Sequence, residues 1–285
     1  MNILALSDIH QYDDKWKKLL DVVENQKPDM VIIGGDLYPK SNGIRSHVNF
    51  IPSLRKYAKK IRNHSELVFI LGNDDNNLTI KDIDDGEKDG LWYCVHDRVA
   101  KINGFSFCGC SWVPDYPFAY KYWVAKETSD NLRVAVTQYG RRPCLISEEN
   151  TYEYIDDLKS YLANKKSIID HLLKMSKKIE DPKKSIWLIH SPPANSGLDV
   201  CSHGERVGSH SVLKFIHSFQ PLLSLHGHIH ESPEYNGGKW HENIGDTVCV
   251  QPGQLGKSLY YVNIDIKDGK INSMEHSVYG KSRQY

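Results

Sequence analysis

Five clusters of aspartate, asparagine and histidine each follow an apolar run directly: Asp8 with His10, Asp36, Asn73 with Asp74, His190, and His228 with His230. Carboxylate, amide oxygen and imidazole are the mixed oxygen and nitrogen donors with which hydrolytic sites take divalent first-row metals. Neutral imidazole is the commonest of these ligands. No cysteine belongs to the clusters, and none of Cys94, Cys108, Cys110, Cys144, Cys201 and Cys249 forms a Cys-x-x-Cys pair. That argues against a structural zinc site, where thiolates dominate. So many donors exceed the needs of one ion; they suit two ions about 3.5–4 Å apart that share a carboxylate.

Asp8 and His10 stand two apart, as do His228 and His230. Side chains two apart in an extended chain share a face, so each pair is expected to face one side at the end of a buried strand. Asp8 could equally cap the turn that follows it. His226 alternates onto the same face but precedes Gly227, and is left outside the site.

The elements that must position these groups are read from periodicity. Residues 3–6, 30–33 and 67–71 are short apolar runs expected to be buried strands. Between them, residues 14–26 carry a helical stripe (Trp16, Leu19, Leu20, Val22, Val23), and residues 41–63 carry another (Ile51, Leu54, Ala58, Ile61), with Pro52 tolerable only near the helix start. This alternation predicts βαβ units with parallel strands. Gly34 and Gly35 deliver Asp36 at a strand's C-terminal end, where open α/β sheets place ligands. Residues 76–98 are polar without clear periodicity. A hairpin is expected over 99–102 and 105–110, turning at Asn103-Gly104. The aromatic stretch 112–123 either lines a substrate mouth or packs a loop. Residues 124–150 read as irregular and 151–180 as helical, with a Lys-rich outer face. A strand at 185–189 leads to His190, a loop covers 194–207, and Ser209 can cap a helix bearing Val212, Phe215, Ile216 and Phe219. The strand 222–225 leads to the last histidines. Further strands are expected at 247–251, 259–266 and 271–278, with a turn at Asp268-Gly269. A single domain is expected, with a variable segment at about 76–180.

Composition limits the partners. The chain has 285 residues, with Lys+Arg and Asp+Glu at 36 each. Zero net charge provides no global field for a polyanion, so long nucleic acid is disfavoured. No apolar run approaches the roughly 20 residues needed to cross a bilayer, and the N-terminal stretch lacks a signal peptide's basic region. Six cysteines in such a chain suggest reduced thiols and a cytoplasmic location. Oligomeric state, a homodimer included, has no signature.

Asp8-x-His10, Gly35-Asp36, Gly72-Asn73, His190 and Gly227-His228-x-His230 resemble, in order and spacing, the motif series of the calcineurin-like metallophosphoesterases. His190-Ser191-Pro192-Pro193, the run 204–209, Glu231-Ser232 and Gln251-Pro252-Gly253 are similar to bacterial and archaeal phosphoesterases related to the Icc phosphodiesterase. The resemblance implies a four-layer αββα sandwich of two mixed sheets. It implies one metal on Asp8, His10 and His230, a second on Asn73, His190 and His228, and Asp36 bridging them. The implied reaction is hydrolysis of a small phosphate mono- or diester by a hydroxide between the ions. Manganese or iron suits the donor set best, and zinc is the third candidate.

The chain departs from that pattern once. The family reads Gly-Asn-His followed by Asp or Glu, and this sequence reads Gly72-Asn73-Asp74-Asp75. The missing histidine normally lies near the leaving-group oxygen. Asp74 could donate a proton only if its pKa rose above about 4, whereas neighbouring cations shift it the other way. Three routes stay open: Asp74 as a weak acid, substrates with good leaving groups, or His203 as the stand-in. Asp74 and His203 are therefore the candidate catalytic residues. Asn73, His203 and Arg206 are the candidate substrate contacts, since Arg suits bidentate phosphate binding. The alternative for Arg206 is a loop salt bridge with Glu205 or Asp199. A second reading is a binding or scaffold protein on the same fold; with all seven ligand positions filled, the enzyme is favoured.

Overall fold

The computed structural model describes residues 1–11, 14–39, 43–129 and 140–282. The helical expectation at 41–42 and the irregular one at 130–139 lie outside the described residues.

The first half of the chain alternates as its periodicity requires. Strand β1 (Asn2–Leu6) leads to helix α1 (Lys15–Gln26), β2 (Met30–Ile33), α2 (Ser46–Ile61) and β3 (Glu66–Phe69). Pro52 lies inside α2 rather than at its start, at the cost of one helical hydrogen bond. The segment read as aperiodic contains helix α3 (Ile80–Lys88) and strand β4 (Tyr93–Cys94). Its apolar stripe has a gap at Gly86, where the Trp92 indole lies so close that a Cβ would meet the ring at 1.9 Å. The missing apolar contact thus arrives from another part of the chain. The hairpin β5 (Val99–Ile102) and β6 (Phe105–Cys110) forms as expected, with φ positive at both Asn103 and Gly104.

Residues 144–180 hold more than helix. A small hairpin of β7 (Cys144–Ile146) and β8 (Tyr152–Tyr154) precedes α4 (Leu158–Ala163) and α5 (Ile168–Ser176). Ser167 and Asp170 form a reciprocal capping box that starts α5 afresh. Then come β9 (Ser185–Ile189), α6 (His210–Phe219) capped by Ser209, and β10 (Leu223–Leu225). Strand β11 (His241–Ile244) was not legible; it is a polar edge strand on β12 (Thr247–Val250), and edges tolerate polar residues. Strands β13 (Val262–Lys267), β14 (Lys270–His276) and β15 (Gly280–Lys281) end the chain.

Two mixed sheets result, ordered β15-β14-β13-β1-β2-β3-β4 and β11-β12-β10-β9-β6-β5. In β1, Leu4 and Leu6 pack under α1 and α2 with Trp16, Leu19, Leu54 and Ile61, while Ile3 and Ala5 face the other sheet. In β9, Ile186 and Leu188 meet that inter-sheet core, and Trp187 and Ile189 pack under α5 and α6 with Leu172, Phe215 and Ile216. Strands buried on both faces account for apolar runs without alternation. The architecture is the expected four-layer αββα sandwich. Its parallel strands β1, β2, β3, β9 and β10 carry the ligand-type residues on the loops after their C-terminal ends.

Candidate active site

The strands stop before the candidate site residues. Strand β1 ends at Leu6, β2 at Ile33 and β10 at Leu225, so Asp8, Asp36 and His228 sit in turns, with φ of 55°, 53° and 72°. The expectation that extended chain pairs Asp8 with His10, and His228 with His230, is corrected: left-handed turns aim these groups, not strand alternation. Such conformations cost about 1–2 kcal/mol each for non-glycine residues and persist only where surroundings impose them. Here Asp8 N donates to Gly35 O at 3.0 Å and Gly34 N to Leu6 O at 2.9 Å. At Gly72 a Cβ would lie 2.2 Å from Asp36 Oδ1, so only glycine lets the Asn73 turn approach the Asp36 turn.

Asp8, His10, Asp36 and His230 bring ligand atoms within 4.8 Å of one another. His10 Nε2 and His230 Nε2 are 3.1 Å apart, His230 Nε2 is 3.4 Å from Asp8 Oδ1, and His10 Nε2 is 3.9 Å from Asp36 Oδ2. Asp8 Oδ2 is buried without a hydrogen-bond partner. Two imidazole nitrogens and two carboxylates gathered this closely, one carboxylate with an orphaned oxygen, fit a divalent cation. Beside them, Asn73 Oδ1 lies 2.9 Å from His190 Nε2 and 2.5 Å from His228 Nδ1. His190 Nε2 is also 3.4 Å from Asp36 Oδ2, so one Asp36 oxygen borders both groups. His190 Nδ1 donates to Gly34 O at 2.8 Å, which leaves Nε2 as the nitrogen turned to Asp36 and Asn73.

The charges hold one another. Burial opposes ionisation of Asp36, but His190 and His10 beside it keep the carboxyl well below the usual range. Burial likewise opposes the charge on Asp8, and His230 outweighs it. Burial works to lower His190, yet Asp36 and Asp8 push it up to about 10. His228 is carried by burial and by His190 down to about 3. Two buried carboxylates held ionised, Asp8 and Asp36, draw cations into the opening.

A family model described as calcineurin-like phosphoesterase matches residues 1–232. The chain belongs to that family. A search of the curated proteins found no match. Among solved structures, one is 17% identical with a TM-score of 0.61, covering 96% of this chain and 98% of its own. Another, TT1561 of Thermus thermophilus, is 19% identical with a TM-score of 0.56, covering 97% of each chain. At these identities the likeness is one of fold. Among the described residues of this calcineurin-like phosphoesterase, no helix is long and apolar enough to cross a membrane.

The other residues singled out from the sequence border a cavity of about 890 Å³ above the candidate ligands, floored by Asp36, Asn73, His228 and His230. The Asp74 side chain is 36% exposed at the rim. His203 and Arg206 line the opposite wall. His203 is exposed and paired with Ser202 Oγ at 3.1 Å. Arg206 makes the alternative contact, with Nη1 3.4 Å from the buried Asp199, and its side chain stays 41% exposed. His226 lies beneath the site, buried, with Nδ1 2.9 Å from Ile189 O and Nε2 2.6 Å from Ser224 Oγ. The aromatic stretch divides: Trp123 is buried, whereas Tyr116 meets His228 edge-on at 5.7 Å and Phe118, 55% exposed, lines the cavity. Two residues were given no role by sequence reasoning. Asp75 accepts backbone N–H groups from Leu37, Tyr38 and Gly72. Buried Lys15 donates to Gln254 Oε1 at 3.0 Å, while Gln254 donates to Ser7 O at 3.1 Å. Only the adjacency of Asp75 to the Asn73 motif hinted at the first.

Proposed function

We propose that this chain hydrolyses a small phosphate mono- or diester at a centre of two divalent cations. The observation that carries the reading is the convergence of Asp8, His10, Asp36 and His230 within 4.8 Å, next to His190 at the same Asp36 oxygen with Asn73 and His228 behind it. Asp8, His10 and His230 would hold one ion, Asn73, His190 and His228 the other, and Asp36 both. Bound there, the pair supplies Lewis-acid activation of water and neutralisation of phosphate charge. The donor set, without thiolate, favours manganese or iron over zinc.

The chain's own groups supply the rest. The Gly34 carbonyl keeps His190 in the ligating tautomer. Tyr116 packs edge-on against His228 and steadies its ring on the cavity side. Arg206, anchored by Asp199 through one nitrogen, keeps further N–H donors for phosphate oxygens. His203 donates a proton to the leaving-group oxygen from the same wall. Residues 112–127, part of the variable segment, shape the mouth that selects the ester. Six free cysteines, five of them buried, support a cytoplasmic setting.

The test is metal analysis together with hydrolysis of chromogenic aryl phosphomonoesters and phosphodiesters in Mn²⁺. Turnover that disappears on chelation is expected. Two bound ions with no turnover on any ester would replace the enzyme by a binding protein on the same fold.

A further inference from the structure

We propose that Asp74 is a positioning residue that orients one ligand of each cation, His10 for the first and Asn73 for the second; the inference rests on the two-cation reading above. Asp74 Oδ1 accepts a hydrogen bond from Asn73 Nδ2 at 2.9 Å. Asp74 Oδ2 lies 3.5 Å from His10 Nδ1. Its backbone N–H donates to Asp36 Oδ1 at 2.9 Å. One residue thus touches the shared carboxylate and one neutral ligand on either side of it.

Each contact removes an ambiguity that a ligand cannot settle alone. A neutral imidazole presents a lone pair at Nε2 only if the proton is on Nδ1. His10 Nε2 is the nitrogen turned towards His230 and Asp36, so its Nδ1 must carry the proton, and a carboxylate behind Nδ1 selects that tautomer and fixes the ring. The Asn73 amide can also face two ways, and only its oxygen can ligate a cation. Holding Nδ2 on Asp74 turns Oδ1 towards His190 and His228. The carboxylate thus meets Asn73 through one oxygen and His10 through the other. The aspartate at the family's histidine position therefore serves the cations, and proton delivery is left to other groups such as His203.

The test is Mn²⁺ binding to the full chain, measured by competition with a chromogenic chelator, for wild type, Asp74→Asn and Asp74→Ser. Outer partners of metal ligands are typically worth about 10–100-fold in affinity, and a loss of that size is expected in both variants. Thermal unfolding of the chelated proteins should be unchanged, because the side chain sits at the rim. Asp74→Ser covers the case in which the new amide of Asp74→Asn clashes with Asn73 and prevents folding. Unchanged Mn²⁺ affinity overturns the positioning role, above all if kcat falls more for alkyl than for aryl esters, the signature of a lost proton donor. Failure of the wild type itself to bind Mn²⁺ overturns the two-cation reading and this inference with it.

Discussion

Both carboxylate oxygens of Asp75 accept the backbone N–H of Leu37, at 2.9 and 3.1 Å. The same carboxylate takes the Gly72 N–H at 2.8 Å and the Tyr38 N–H at 3.3 Å. It therefore ties the turn bearing Asp36 to the turn bearing Asn73. Asp75→Asn puts an amide NH₂ against these donors. Leaving buried backbone groups unpaired costs about 1–3 kcal/mol each, so urea unfolding should show a loss of roughly 2–4 kcal/mol. Mn²⁺ affinity should fall with it, and a variant of wild-type stability would refute the clamp.

Asp36 borders both donor groups, so its removal should weaken both ions. Asp36→Ala is expected to cost more than the roughly 10–100-fold typical of an outer partner. Atomic absorption after gel filtration should find the variant depleted of both metals. Retention of one full equivalent would show that Asp36 is not shared. In the wild type, Mn²⁺ at 100 times its dissociation constant should stabilise the fold by about 2.7 kcal/mol for each site filled, readable as a raised Tm that chelator reverses.

Phe118 offers an exposed aromatic face to the cavity. Aromatic contacts contribute about 0.5–1.5 kcal/mol beyond the area they bury. Phe118→Ala should raise KM for aryl phosphate esters by up to about tenfold, with kcat and stability little changed. An equal effect on methyl and aryl esters would show that the ring does not touch the leaving group.

Stability should fall in mild acid. His96 Nδ1 accepts the Ser111 N–H and His47 Nδ1 the Asn76 N–H, each at 3.1 Å. Burial pushes both imidazoles down to about 4, against about 6.5 in the unfolded chain. Between those values the unfolded state binds protons that the folded state refuses. The stabilisation is therefore complete above pH 6.5 and is lost as pH falls towards 4. By pH 5 the loss approaches about 2 kcal/mol for each histidine. Urea midpoints across this window check the slope, which should flatten in His96→Gln; a flat wild-type profile would contradict the assignment.

Residue type in the first few positions after each apolar run marked the candidate ligands. That Asp8, His10, Asp36, Asn73, His190, His228 and His230 follow strand ends was legible because residue type and strand ends are local properties of the chain. The hairpin 99–110, strand β9 and the Ser209 cap were legible for the same reason, since turn and capping preferences act over three or four residues. Helix α3 was hidden because the Trp92 ring fills the space above Gly86, and β11 because an edge strand needs no apolar alternation. Tertiary structure alone decided the left-handed turns at Asp8, Asp36 and His228 and the clamp of Asp75 on Leu37. It also decided the contact of Asp74 with His10, which lies far from it in sequence. Local preference selects which groups stand at a strand end, whereas the packing of two sheets selects which strand ends meet.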